Sequence, residues 1–181
     1  ANHWKQLTGC TLIESYGLTE ASPAVTINPL NSHYFTGSIG LPIPSTECEI
    51  LSDSGEVLPI GETGELYIRG PQVMKGYWAH NEESANQLSS AGWLSTGDIA
   101  YIDAGGYVYL IDRKKDMILV SGFNVYPIEV ESVVSSHPDV LECAAIGVPD
   151  EKTGEAVKIV IVSRNPVLDK ASIIELFFYF F

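Results

Sequence analysis

AGWLSTGDIAYIDAGGYVYLIDRKK, from Ala91 to Lys115, is the stretch on which the reading of this chain turns. It contains an aspartate behind a glycine, Ser95-Thr96-Gly97-Asp98, then the pair Gly105-Gly106, then the apolar run Tyr107-Val108-Tyr109-Leu110-Ile111. It closes on charge: Asp112-Arg113-Lys114-Lys115-Asp116. An aspartate after a glycine turn can accept two hydrogen bonds from a vicinal diol such as the ribose hydroxyls. Taken alone, such an aspartate is more often a turn or capping residue. The charged run cannot be core, so it predicts an exposed connection in which Arg113 could add a charge-assisted hydrogen bond to a ribose oxygen or a phosphate.

Upstream, short apolar runs alternate with turn residues. Cys48-Glu49-Ile50-Leu51 is followed by Asp53-Ser54-Gly55, and Glu65-Leu66-Tyr67-Ile68-Arg69 ends at Gly70-Pro71. Strands at this spacing predict a small β-barrel or a folded antiparallel sheet. Thr11-Leu12-Ile13-Glu14 reads as a short buried strand followed by a turn, Ser15 to Glu20. Downstream the character changes. Met117-Ile118-Leu119-Val120 predicts a strand ending at Ser121-Gly122. Pro127 suits a helix's first turn, and Ile128, Val130, Val133 and Val134 form its apolar face until His137-Pro138 stops it. Val140 to Val148 and Ala156 to Val162 read as strands, and Leu168 to Leu176 as a helix capped by Asp169. The second part is thus a small α+β unit, with a boundary near Asp112 to Lys115.

Composition narrows the function classes. The chain has 181 residues, of which 45% are hydrophobic, enough for one moderate domain plus a small one. A formal charge of −13 argues against broad nucleic-acid binding, although Arg113, Lys114 and Lys115 cluster locally. Three scattered cysteines and four scattered histidines give neither a disulfide framework nor a metal cluster, and a reducing cytoplasm is the natural compartment. Neither a signal-peptide pattern nor an apolar run near the roughly 20 residues of a membrane span is visible.

A third segment completes the set. In Tyr16-Gly17-Leu18-Thr19-Glu20, a glycine beside an aromatic ring could form a flat slot for a planar base. The hydroxyl and carboxylate after it could meet a phosphate oxygen and its magnesium ion. By itself the segment is more often a turn whose tyrosine packs and whose glutamate caps a helix.

In this order the three segments resemble the adenylate-forming superfamily, which includes acyl-CoA synthetases, peptide-synthetase adenylation domains and luciferases. Tyr16 to Glu20 is similar to its adenine and magnesium motif, and Ala91 to Lys115 to the signature of fatty acyl-CoA synthetases. Ser121 to Pro127, with Glu129 and Glu131, resembles the loop and helix beyond the hinge. SIGLPIPSTE (Ser38 to Glu47) and RGPQVMKGYW (Arg69 to Trp78) are similar to bacterial long-chain fatty-acid–CoA ligases.

The resemblance implies an α+β chain. Residues 1–111 would be the C-terminal part of a large AMP-binding domain, with a small β-barrel-like subdomain. Residues 112–115 would be a hinge, and 116–181 a small, incomplete C-terminal domain. Tyr16 and Gly17 would line the adenine, Thr19 would touch the α-phosphate, and Glu20 would hold Mg2+. Asp98 and Arg113 would take the ribose, and Lys115 would be the pivot. The loop at Gly122 would help form the channel for coenzyme A, where a pantetheine arm passes close to backbone. Fatty acid, ATP (with AMP as product) and coenzyme A would be the small-molecule substrates.

Two catalytic elements of the family are not found in this sequence. They are the glycine-, serine- and threonine-rich phosphate loop ending in lysine, upstream, and a lysine in a proline- and glycine-containing loop near the C-terminus. The expectation is therefore an incomplete enzyme, inactive alone, whose upstream half would cover part of residues 1 to 35. The aromatic ending Leu176 to Phe181 departs from the family's amphipathic helix and suggests a truncated or frame-shifted reading, with aggregation as its liability. Competing readings are a ligase for a different acid or a carrier protein, and a non-catalytic nucleotide-binding or interaction remnant. The expected location is the cytoplasm, with possible peripheral contact at the inner face of the membrane.

Overall fold

The computed structural model describes residues 2–32, 36–165 and 168–180. Contacts divide the chain into two compact units, Ala1–Leu110 and Ile111–Phe181.

In the first unit, β1 (Ser15–Gly17), β2 (Ala24–Ile27) and β3 (Leu41–Pro42) form one antiparallel sheet. A second sheet takes β4 (Glu47–Leu51), β5 (Gly64–Arg69), β6 (Leu94–Ile102) and β7 (Val108–Arg113) in that order, the residues of β7 from Ile111 onward being counted with the second unit. Alternation along β5 puts Leu66 and Ile68 at zero exposure, packed with Val25, Ile50, Leu94, Ala100 and Val108. Removing each such side chain from water stabilises the fold by roughly 1.5–3 kcal/mol. The helical elements here are α1 (Asn2–Thr8), a 3-10 turn at Thr19–Ala21 that puts Ala21 into the core, and α2 (Asn81–Gln87), which buries no residue.

The expected barrel is corrected to an open sheet. Four strands are too few to close on themselves, and β4 and β7 lie at its opposite ends. Instead the edge at Val108 bridges to Gly40, with Val108 N–H donating to Gly40 O at 3.0 Å. Thr11 to Glu14 is not a strand; pairing starts at Ser15, because Ser15 and Tyr16 are the residues that meet Ile27 and Thr26 across the sheet. Nor is Ser95–Asp98 a glycine turn. It lies within β6, where the register jumps from Tyr67↔Ser95 to Glu65↔Ile99, leaving Leu66 opposite Thr96, Gly97 and Asp98. Gly97, at φ 74°, marks a bulge rather than a chain reversal.

In the second unit, β8 (Ile118–Val120), β9 (Phe123–Val125), β10 (Val140–Asp150) and β11 (Gly154–Ser163) make an antiparallel sheet in the order β10-β11-β8-β9. Helix α3 (Pro127–Ser135) supplies Val130 and Val134 to a core with Val140, Ala145 and Ile173, the last from α4 (Lys170–Phe180). Asp169 caps α4 through the Ala171 amide at 3.0 Å. Two expectations change here. Ile128 is 52% exposed and does not join the apolar face of α3. Ser121 to Pro127 is not simply a loop, because Ser121 (φ 52°) and Gly122 (φ 86°) are the two-residue turn of a β8–β9 hairpin. The charged run is also more ordered than a bare connection: Asp112 and Arg113 finish β7, and Lys114–Asp116 form a 3-10 turn. The aromatic tail falls largely outside the described residues: Phe181 entirely, and the side chains of 177–180.

Candidate functional site

The adenine-like and ribose-like segments meet. Tyr16 leaves β1 at a bulge, where pairing shifts between Tyr16 and Gly17, and its hydroxyl donates to Asp98 Oδ2 at 2.5 Å across 82 residues. Both side chains are half-buried. Burial, and next the Asp98 carboxylate, push the Tyr16 phenol far above its ordinary value, so it stays a donor. Gly17 is required sterically. A Cβ there would run into the Pro23 carbonyl oxygen, which also accepts the Leu18 amide at 2.8 Å.

Asp98 is presented by the β6 bulge. Thr96 Oγ1 donates to Leu66 O at 2.8 Å and accepts the Asp98 amide at 3.1 Å, occupying groups that a regular ladder would have paired. Below the bulge lies Glu65, only 7% exposed, which accepts from Ser95 Oγ and from the Gly97 amide.

Thr19 and Glu20 occupy the 3-10 turn, Thr19 exposed and Glu20 half-buried. The segment after Gly70 is tied to this turn twice: Met74 N–H donates to Glu20 O at 2.7 Å, and Tyr77 Oη lies 2.8 Å from Glu20 Oε1. Tyr77 Oη is also 2.8 Å from Gln87 Oε1 of α2, and its single proton serves one acceptor at a time. Among the described residues no group of three or more His, Cys, Asp or Glu is placed to hold a metal ion. A cation at Glu20 would therefore complete its shell with water and ligand oxygens, as Mg2+ commonly does on substrate phosphates.

Arg113, Lys115 and Gly122 belong to the second unit. Arg113 ends β7 and is exposed, and Lys115 is exposed on its 3-10 turn. Gly122 has nothing within 4 Å of where a Cβ would stand, so its own requirement is the positive φ of the hairpin turn. Sequence reasoning missed Glu65, Tyr77, Thr96 and Asp112. Strand alternation puts Glu65 with Tyr67 and Arg69 on the face away from Leu66, so its burial against the bulge has no signal in the pattern of the strand. Tyr77 carries no local signal, since its partner is 57 residues away.

Two family models match the chain: AMP-binding enzyme over residues 1–78, and AMP-binding enzyme C-terminal domain over residues 129–176. With the paired motifs above, the chain belongs to the AMP-binding family of adenylate-forming enzymes. It is 52% identical over 174 residues to a long-chain-fatty-acid–CoA ligase of Escherichia coli O6:H1, a match covering 96% of this chain and 31% of that protein. A ligase of the same description from Yersinia pestis is 54% identical over 168 residues, covering 93% of this chain and 30% of that one. Among solved structures, ATP-bound MatB from Rhodopseudomonas palustris superimposes with a TM-score of 0.90 at 35% identity, over 98% of this chain and 36% of that one. The chain thus spans about a third of the length of the relatives it matches.

Proposed function

We propose that this chain is part of an ATP-dependent long-chain fatty-acid–CoA ligase and carries its nucleoside-recognition and hinge elements. The observation that supports this reading above all is the Tyr16–Asp98 hydrogen bond, which joins the adenine-like and ribose-like motifs into one surface. In the reaction, a fatty carboxylate attacks the α-phosphorus of ATP, giving acyl-adenylate and pyrophosphate. The thiol of coenzyme A then attacks the acyl carbon and AMP leaves.

In this reading Tyr16 and Gly17 line the adenine, and the flat glycine backbone admits the base close to the ring. Asp98 accepts from the ribose hydroxyls, with Arg113 assisting. Thr19 donates to an α-phosphate oxygen, and Glu20 is one ligand of Mg2+. Magnesium, when bound, supplies neutralisation of the charge gathering on the phosphate oxygens. Lys115 serves as the pivot between the two half-reactions, and the Ser121-Gly122 turn borders the path of the thiol. Residues 1–111 then close a large domain, 112–115 form the hinge and 116–181 belong to a small domain.

The 181 residues contain no glycine-, serine- and threonine-rich loop ending in lysine. By this reading they recognise the nucleoside without completing its chemistry, and in isolation they do not turn over. The test is ATP–pyrophosphate exchange with a long-chain fatty acid, run on the isolated chain and on a full-length ligase carrying these residues. The isolated chain shows no exchange. In the full-length enzyme Asp98→Ala raises the KM for ATP tenfold or more, by analogy with the loss of a buried charge-assisted hydrogen bond, whereas exposed Lys170→Ala leaves it unchanged. Equal effects of the two substitutions would remove Asp98 from the site.

A further inference from the structure

We propose that Glu65 is a positioning residue for nucleoside recognition, its buried carboxylate holding the β6 bulge in the shape that presents Asp98 to the ribose. The inference rests on the ribose role given to Asp98 above and extends it to a residue on the neighbouring strand.

Glu65 is 7% exposed in a strand whose other buried positions, Leu66 and Ile68, are apolar. A carboxylate is costly to bury unless its oxygens are satisfied, and two of its donors lie on the bulge itself. Ser95 Oγ donates to Glu65 Oε1 at the start of the bulge, and the Gly97 amide donates to the same oxygen at 3.3 Å, one residue before Asp98. A regular antiparallel register would set Glu65 opposite Gly97; here Glu65 faces Ile99. The Glu65 side chain accepts the amide of the residue that the bulge displaces. Gly97, at φ 74°, can take up that geometry, and Thr96 closes the far side by donating to Leu66 O. The arc from Ser95 to Asp98 is tied at both ends to β5, and Asp98 Oδ2 emerges 2.5 Å from Tyr16 Oη. Without Glu65 the same residues could relax toward a regular pairing, which would turn Asp98 away from Tyr16.

The experiment measures preference for ATP over 2′-deoxy-ATP, as the ratio of their kcat/KM values in adenylate formation by a full-length ligase carrying these residues. Wild type, Asp98→Ala, Glu65→Ala, Glu65→Gln and Ser95→Ala are compared. Wild type favours ATP at least tenfold, and Asp98→Ala abolishes the preference. Glu65→Ala lowers it severalfold through KM rather than kcat. Glu65→Gln, which keeps an acceptor oxygen for the Gly97 amide, retains most of it, and Ser95→Ala gives a smaller loss in the same direction. A purely structural role would lower activity toward both nucleotides alike and leave the ratio unmoved. If Asp98→Ala removes the preference while Glu65→Ala and Ser95→Ala leave it intact, the positioning role is overturned. Should Glu65→Ala fail to fold, an unchanged ratio in Ser95→Ala overturns it equally. If Asp98→Ala itself leaves the preference untouched, the ribose assignment falls, and the role of Glu65 with it.

Discussion

The Asp112 carboxylate accepts the backbone N–H of Ile128 at 3.0 Å, sixteen residues farther along the chain, and so caps helix α3 from outside the helix. Tyr126, at the N-cap position, makes no side-chain capping bond, and Pro127 has no N–H to satisfy. Ile128 therefore carries the first amide of the helix that needs an acceptor, and a carboxylate there also complements the positive end of the helix dipole. Asp112 Oδ1 meanwhile accepts the Arg113 amide at 2.7 Å, fixing the end of β7. One aspartate thus ties the end of a strand to the start of a helix.

Asp112→Ala accordingly costs the second unit about 1 kcal/mol of stability, and Asp112→Asn, which keeps an acceptor oxygen, costs less. Urea denaturation followed together with amide hydrogen exchange reads both effects. The specific sign is faster exchange at Ile128 in the alanine variant. Unaltered protection of that amide would show that the cap does not hold in solution.

How much of this was legible in the residues follows from how local each signal is. The second unit could be read because Ile118–Val120, Val140–Asp150 and Gly154–Ser163 are apolar-rich runs bounded by turn residues, and because Pro127 and Asp169 mark helix starts in the positions physics favours. Its hairpin at Ser121-Gly122 was missed since Phe123 and Asn124 are exposed and give β9 no apolar pattern. In the first unit Gly97 looked like a turn, because an isolated glycine marks a bulge and a turn equally well. The motifs at Tyr16 and Asp98 were visible as motifs, but nothing local specifies a contact across 82 residues. The burial of Glu65 was illegible for the same reason: it depends on the register of a partner strand.

Tyr16 offers a pH signature. Burial first, then the bond to Asp98, hold its phenol well above the ordinary value of 10.0. A raised value means that the fold favours the neutral form. The contribution to stability is then full below the unfolded value near 10 and is lost as pH climbs toward the higher folded value. Spectrophotometric titration of tyrosinate should therefore show a fraction of the tyrosines ionising late while the chain stays folded. Tyr77 and Tyr109 are also shifted upward, so Tyr16→Phe reduces the late fraction without removing it. If that substitution removes only tyrosine that titrates normally, the Tyr16–Asp98 bond is absent in solution.

Two glycines near the candidate site are needed for different reasons, and substitution separates them. A Cβ on Gly17 would meet the Pro23 carbonyl, a backbone atom that cannot swing aside, so Gly17→Ala should cost roughly 1–3 kcal/mol through overpacking. Gly97 has nothing within 4 Å of its missing Cβ, but its φ of 74° makes Gly97→Ala cost roughly 1–2 kcal/mol through backbone strain. Asparagine distinguishes the two causes, because it tolerates the left-handed region better than alanine but brings the same Cβ. Gly97→Asn should thus recover part of the loss seen with alanine, whereas Gly17→Asn should be at least as damaging as Gly17→Ala. Denaturant midpoints for the four variants decide the matter. Recovery at position 17 would mean that backbone conformation, not the Pro23 carbonyl, is what excludes a side chain beside Tyr16.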